Sequence, residues 1–465
     1  MTIPEWIQDA IFYQIFPDRF YNGNRENDPP NVQPWGSMPT RWGFQGGDLQ
    51  GIIQKFDYLL DLGINAIYLN PIFLASSNHR YNATDYYMID PKLGSLDNFH
   101  FLIEHAHRNN VKILLDGVFN HCGRGFFAFN DILENQENSA YRDWFHIKKF
   151  PVNAYSTGET TDYLGWWGMK NLPKFNTDNP KVRKYLMNIA RYWIEQGADG
   201  WRLDVPNEIN DDSFWEEFRM VVKDTNPEAY LVGEIWSADA RWVGDGHFDG
   251  LMNYPVMDAL IGLLVSNTMD VHQFSEKIDS LLSYYPRDHI YAMYVPVGSH
   301  DTERILTRMV SIEKTKLVYL FQFAFPGAPA IYYGDEIGIR GGKDPECRGA
   351  FIWDEISWNF ELRDLIKVLV DLRKRHGALR RGEFASVKNI SNPACYAFLR
   401  KSFNDKVLII MNTSNREQII QIAADEMGWE EKQKLVDLIN PSKEYFIANH
   451  ILKINLPAWG GIWLA

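Results

Sequence analysis

Residues 200–205 read GWRLDV and residues 230–236 read YLVGEIW, two short β-rich runs that each bring an acid to the C-terminal end. A charge inside an apolar run is costly to bury and needs a reason. The same texture recurs on both sides. Asp9–Phe16 (DAIFYQIF), Asn65–Phe73 (NAIYLNPIF) and Val111–His121 (VKILLDGVFNH) precede these runs, and Gly250–Tyr254 (GLMNY), Tyr291–Asp301 (YAMYVPVGSHD) and Ala328–Gly334 (APAIYYG) follow them. Amphipathic segments alternate with the runs. Leu49–Leu62 places Leu49, Ile52, Ile53, Phe56, Leu59 and Leu60 on one stripe, Asn98–His107 does so with Phe99, Leu102, Ile103 and Ala106, and Asn179-Pro180 reads as the start of a helix over Lys181–Gln196. Eight strand–helix units predict an α/β fold, a (β/α)8 TIM barrel; a doubly wound open sheet is the alternative at this point.

Two stretches break the rhythm. From Cys122 to Phe175 the chain is rich in Phe, Trp, Asn and Gly and too long for an ordinary loop, so it reads as a subdomain inserted after the third strand. Beyond Arg380 short β segments such as Ala394–Arg400 and Lys406–Met411 predict a C-terminal β-sandwich domain. The expected division is a barrel over 1–121 and 176–380, an inserted domain B over 122–175 and a domain C over 381–465.

Composition narrows the function. A net charge of −13 over 465 residues speaks against nucleic acid or an anionic membrane as partner. The chain has no long apolar run for a membrane helix and no basic, apolar leader at its start. Its three cysteines, Cys122, Cys347 and Cys395, form neither a disulfide framework nor a CxxC pair, which fits a reducing, cytoplasmic setting. Aromatic residues make up 14%, enough for a large core and for rings lining a sugar groove.

Asp116, Asp204, Glu234 and Asp301 all fall at or just past the ends of predicted strands, the rim where barrels place chemistry. Glycoside hydrolysis needs such a set: one carboxyl protonates the departing oxygen, a second attacks the anomeric carbon or activates water, and a third holds the sugar. Arg202 lies two residues before Asp204, so both side chains face the same way and the guanidinium keeps the carboxylate ionised. His121 and His300 can donate to sugar hydroxyls. For Asp116 alone, a structural salt bridge is as good a reading as a functional one.

The sequence resembles the α-amylase family of glycoside hydrolases, family 13. DGVFNH (116–121), GWRLDVPNE (200–208), GEIW (233–236) and GSHD (298–301) look like its four signatures, in order. The resemblance implies a (β/α)8 barrel with domains B and C and a retaining mechanism. It makes Asp204 the nucleophile, Glu234 the acid and then base, and Asp301 the transition-state stabiliser. It puts Arg202, His121 and His300 at the −1 sugar, His79 and Tyr81 beside them, with the Tyr81 ring on the sugar face, and Trp236 next to the acid. WGSMPTRWGFQGGDLQGI (35–52), LPKFN (172–176) and GGKDPECR (341–348) are similar to the cyclomaltodextrinase, neopullulanase and maltogenic amylase group. That implies cyclodextrins, short maltooligosaccharides and other α-glucans as partners, with some glycosyl transfer. The group usually has an N-terminal β-domain that makes dimers, whereas here the barrel starts at once, which leaves the oligomeric state open. Ser237 follows Trp236 where the group usually has His, a change on the acceptor side.

Asn22, Asn24, Asn27 and Asp28, with Gly46 and Asp48, form an oxygen-rich set similar to a calcium loop of that group; a polar turn cluster is the other reading. Glu208 replaces the histidine of the ordinary α-amylase calcium site, although Asn120 is retained. No organic cofactor is expected. Trp166-Trp167 and Phe126-Phe127 either line the groove or form the inserted domain's own core. A glucanotransferase would use the same residues, while a catalytically silent binding protein predicts a damaged triad, and all three acids are present.

Overall fold

The computed structural model describes residues 2–465. Eight parallel strands make one sheet: β1 (Phe12–Ile15), β2 (Ala66–Leu69), β3 (Lys112–Gly117), β4 (Gly200–Leu203), β5 (Tyr230–Gly233), β6 (Gly250–Leu251), β7 (Tyr294–Pro296) and β8 (Ala328–Tyr332). Their spatial order is β6-β5-β4-β3-β2-β1-β8-β7, and a parallel bridge from Met252 to Tyr294 closes β6 onto β7. All eight predicted strand runs contain an observed strand, and the closure decides for the barrel over the open sheet.

Each strand is buried throughout, apart from the half-buried Lys112 that opens β3, because helices cover its outer side and neighbouring side chains fill the inner one. The helices begin where the local chemistry says they should. Ser95 and Asn98 form a reciprocal cap for Leu96–Arg108, satisfying backbone donors that have no partner inside the helix. Asn179 accepts from the Lys181 N–H and Pro180 opens Pro180–Glu195. One expectation fails in detail. The apolar stripe over Leu49–Leu62 is carried by two helices, Leu49–Gln54 and Phe56–Leu62, joined at Lys55. Both pieces keep their apolar residues inward, so periodicity alone does not reveal the break.

The loop after β2 is an antiparallel hairpin, Phe73–Ala75 against Ala83–Ile89, with His79 and Tyr81 in its connection. Residues 122–175 leave the barrel after β3 and fold around a helix, Phe127–Asn135. Bridges His121–Lys174 and Phe145–Phe175 tie the two ends of this excursion together. Phe126, Phe129, Phe145, Tyr163 and Phe175 pack inside it, which makes Phe126 core, while its neighbour Phe127 stays 45% exposed against Tyr141 and Trp144. The C-terminal region is two four-stranded antiparallel sheets. They enclose a separate apolar core that includes Leu399, Ile410, Ile420 and Ile454. Trp463 and Phe398 instead join the barrel's core, fixing the sandwich to it.

Candidate active site

Strand register brings the acids together. Asp116 on β3 pairs with Arg202 on β4, and Leu203 on β4 pairs with Gly233 on β5. Asp204 and Glu234 each follow one member of the second pair, so they leave the sheet at equal height. The ladder continues one step through them, since the Asp204 N–H donates to the Gly117 carbonyl and the Glu234 N–H to the Leu203 carbonyl, both at 3.0 Å.

Arg202 is the centre of charge. Its Nη1 lies 2.8 Å from Asp116 Oδ1 and 3.1 Å from Asp204 Oδ1, and its Nη2 lies 2.9 Å from Glu234 Oε1. The contact with Glu234 is an ion pair by distance but lacks the alignment of a hydrogen bond. Asp116 is buried with both oxygens engaged, Oδ1 by Arg202 and Oδ2 by the Tyr68 hydroxyl at 2.5 Å and the Tyr81 hydroxyl at 2.6 Å. It therefore holds Arg202 and two tyrosines rather than facing a ligand, which is the structural reading of that residue.

His300 Nδ1 lies 2.8 Å from Gln14 Nε2, which turns the other ring nitrogen, Nε2, toward Tyr81 and Asp301. That nitrogen sits 2.7 Å from the Tyr81 hydroxyl and 2.9 Å from Asp301 Oδ2. Tyr81 stacks almost parallel on His300, 5.3 Å between centroids, and on His79 at 6.0 Å. One network thus runs from Asp301 through His300, Tyr81 and Asp116 to Arg202 and Asp204.

Arg348 was not singled out from the sequence. Its Nη2 is 3.0 Å from Asp301 Oδ1 and its Nε donates to the His300 carbonyl at 2.9 Å. It lies 47 residues downstream of Asp301; its place in GGKDPECR was the only signal. Three residues past Asp301, Arg304 donates to Asp335 and to the Tyr333 carbonyl, anchoring the β7 loop on the end of β8. Val205 was also missed. It is β-branched yet left-handed, φ 37° and ψ 52°, and its N–H donates to Glu234 Oε2 at 3.0 Å. Strain of this kind beside two acids orients a donor at one of them.

The charges set the proton affinities. Burial pushes Asp204 well above the usual carboxyl range, with Glu234, Asp116 and Asp301 adding to it; Arg202 opposes this but does not outweigh it, contrary to the expectation that it keeps Asp204 ionised. Burial also raises Glu234, with Arg202 opposing and Asp301 adding. The pair therefore retains a proton to higher pH than isolated carboxyls do. For Asp301 burial acts upward, but His300, Arg348 and Arg202 outweigh it and hold the carboxyl below its ordinary value. Burial drives His79 and His121 down to about 3, so both are neutral near pH 7.

His121 Nδ1 faces the Asn120 amide, and its buried Nε2 has no protein partner. Its ring begins a stack, His121 on Trp166 at 5.1 Å and Trp166 on Trp167 at 4.5 Å, that ends at the largely exposed Trp167. The tryptophan pair therefore carries the stack from buried His121 out to solvent. Trp236 donates to Glu234 Oε1 at 3.3 Å and lies flat on Tyr254, 3.9 Å between centroids, while remaining 45% exposed.

The oxygen-rich set stands apart from this network. Asp48 accepts from the N–H groups of Gly23, Asn24 and Gly51 and from Asn27 Nδ2, and Asp28 accepts from Asn22 Nδ2. Asn22 Oδ1 and Asn27 Oδ1 are buried without a hydrogen-bond partner. A Cβ on Gly46 would stand 2.3 Å from Asp28 Oδ1. Among the described residues no three His, Cys, Asp or Glu side chains gather as a metal cluster, so an ion here would rely on amide and backbone oxygens beside Asp28 and Asp48. Glu208 lies elsewhere, paired with Lys174 at 3.6 Å.

The family model for "Alpha amylase, catalytic domain" matches residues 14–381. The chain is 43% identical to a cyclomaltodextrinase of Geobacillus thermopakistaniensis over 99% of its own length and 78% of the relative's. It is 42% identical to neopullulanase 2 of Thermoactinomyces vulgaris, over 92% and 73%. Among solved structures it superposes with a TM-score of 0.91 and 39% identity on the cyclic α-maltosyl-(1→6)-maltose hydrolase of Arthrobacter globiformis in complex with that sugar, covering 100% of both chains.

Proposed function

The chain belongs to the α-amylase family of glycoside hydrolases, and from that premise we propose that it opens cyclodextrins and cleaves short maltooligosaccharides at α-1,4 bonds with retention of configuration. The observation that carries the reading is the pair Asp204 and Glu234 on the two ends of one guanidinium. Sharing Arg202 sets the two carboxyls side by side on the rim, one able to attack and the other to protonate, and retention follows from membership of the family.

In this reading Asp204 attacks the anomeric carbon while Glu234 gives its proton to the departing oxygen. The covalent bond to Asp204 is then broken by water, which Glu234 deprotonates. Asp301, kept ionised by His300 and Arg348, binds the sugar hydroxyls and the positive charge that develops on the ring. Neutral His121 and His79 add hydrogen bonds rather than charge, and the free Nε2 of His121 supports its place at the −1 sugar. Trp236 offers a flat face beside the acid, which supports transfer to an acceptor sugar as a side activity, and pullulan and starch as further substrates.

A timed product profile on β-cyclodextrin, maltotriose, pullulan and starch, with and without excess glucose, tests this. Fast cyclodextrin opening with α-anomeric products in the first minutes is expected. Initial β-products rule out retention, and products longer than the donor without added glucose move the assignment to a glucanotransferase.

The kcat/KM profile should be a bell. Activity rises as the coupled Asp204–Glu234 pair gives up its first proton and falls as it gives up the second, the one the acid donates. Because burial raises Glu234, the alkaline limb lies above the range of an exposed glutamate. An alkaline limb at the ordinary carboxyl value contradicts the assignment of the proton to Glu234.

We also propose a structural calcium ion held by Asn22, Asn24, Asn27, Asp28, the Gly46 carbonyl and Asp48. The support is the two orphan amide oxygens beside two carboxylates, a donor set suited to a hard cation. Its role is to tie the loop after β1 to the helix at Leu49. Chelation should lower the melting temperature by several degrees and calcium should restore it, as for any ligand that binds only the folded state. Metal-free protein with an unchanged melting temperature removes the ion from the account. A cytoplasmic location agrees with three cysteines that are all free and buried; among the described residues no helix is long and apolar enough to cross a membrane.

A further inference from the structure

The ring of strands gives the active-site mouth a direction. In a closed barrel of eight strands in sequential order, the loop after β1 lies across the mouth from the loop after β5. The acid Glu234 and its neighbour Trp236 sit on the β5 side, so the leaving part of a glucan lies there. The part retained on Asp204 extends the other way, toward the loop after β1.

That loop presents one large exposed ring. Trp42 keeps 74% of its surface open, and among the described residues its indole has no aromatic or hydrogen-bonding partner. The backbone that carries it is held firmly. Buried Asn78 donates to the carbonyls of Arg41 at 3.1 Å and Gly43 at 2.8 Å, bracketing Trp42 on both sides. Buried Arg19 donates to the same Gly43 carbonyl at 2.8 Å and to the Arg348 carbonyl at 2.9 Å. Trp42 is therefore tied to two walls of the site, one through Asn78, the neighbour of His79, and one through Arg348, the partner of Asp301. Exposing an indole to water is unfavourable, and fixing its backbone in advance lowers the ordering cost of binding a ligand.

We propose that Trp42 is a sugar-stacking platform on the donor side, beyond the −1 site, binding the apolar face of an α-glucose unit in the retained part of the chain. The inference rests on the α-glucan reading above and adds a chain-length preference to it. The ring gains contact only when the donor is long enough to reach it.

The test compares Trp42→Ala and Trp42→Phe with the unaltered protein on maltotriose and maltohexaose, and follows indole fluorescence during titration with maltohexaose. Trp42→Ala should lower kcat/KM on maltohexaose by about tenfold, mainly through KM, and leave maltotriose within about twofold. Trp42→Phe should recover most of the loss, and the fluorescence change of the unaltered protein should shrink in Trp42→Ala. An equal effect on both substrates, or none, overturns the platform. So does a change in solution mass by light scattering with the chain-length profile intact, which assigns the ring to self-association. The two layers fail separately. Unaltered protein that shows Trp42-dependent quenching but no cleavage overturns the hydrolase reading, and active protein with a flat chain-length response to Trp42→Ala overturns only the platform.

Discussion

Asp204→Asn should reduce kcat on maltooligosaccharides by about 10⁴-fold or more while leaving the protein folded and able to bind them. The amide has nearly the shape of the carboxylate but cannot form the bond to the anomeric carbon. Arg202 keeps Asp116 and Glu234 as partners in the variant, so its buried charge is not stranded. Stability should move the other way from activity. The folded-state affinity of Asp204 for its proton is raised by burial and by its acidic neighbours. A group of this kind contributes stability below its unfolded pKa, and that contribution is lost as pH rises through the folded value. As pH rises through that folded value the ionised Asp204 destabilises the native state, and Asn should melt at the same or a higher temperature, more so at higher pH. Isothermal titration with maltotriose and melting at two pH values check both parts. Turnover within about tenfold of the unaltered protein removes the nucleophile assignment.

The second large effect separates the two acids. Glu234→Gln should cost about 10³-fold on maltooligosaccharides, within the span expected of a general acid. It should cost far less in the first step on a glycosyl fluoride or a dinitrophenyl glycoside, whose leaving groups depart without a proton. Asp204→Asn gives no such selectivity, because every substrate needs the nucleophile. The alkaline limb of the pH profile should also vanish in Glu234→Gln, since the titrating proton is gone. Equal losses on both substrate kinds argue that Glu234 acts by position or charge and that another group supplies the proton. Trp236 and Val205 donate to different oxygens of Glu234, so the amide of the variant keeps one of these donors and turns its NH2 toward the other; an unchanged melting temperature and unchanged binding of maltotriose check that the loss is chemical.

The network explains why single changes elsewhere should act on the triad. Asp116 touches no substrate-facing space, yet it fixes Arg202, Tyr68 and Tyr81 at once. Tyr81 links the residues after β2 to His300 across 219 positions of chain. Rigid positioning of this sort keeps reacting groups in place without reorganisation during the reaction.

What the sequence determined by itself was local. Eight runs of apolar, β-branched and aromatic residues specify eight strands, because alternation and burial are written residue by residue. The same is true of the caps at Ser95 and Asn179, whose side chains reach only a few positions along the chain. Acids one step past the strand ends were equally legible, since a parallel barrel brings all such ends to one rim. The tertiary structure alone decided what depends on distance through space. The closing bridge from Met252 to Tyr294 excluded the open sheet. Contacts across the rim brought Arg348 to Asp301, and packing turned Asp116 into a holder of Arg202. Burial sent Phe126 inward and left Trp42, Trp167 and Trp236 exposed, although composition treats these rings alike. The physical reason is common to all of these. Propensity and periodicity act over a turn or a strand, whereas hydrogen bonding, ion pairing and exclusion of water act between neighbours that only the folded chain defines.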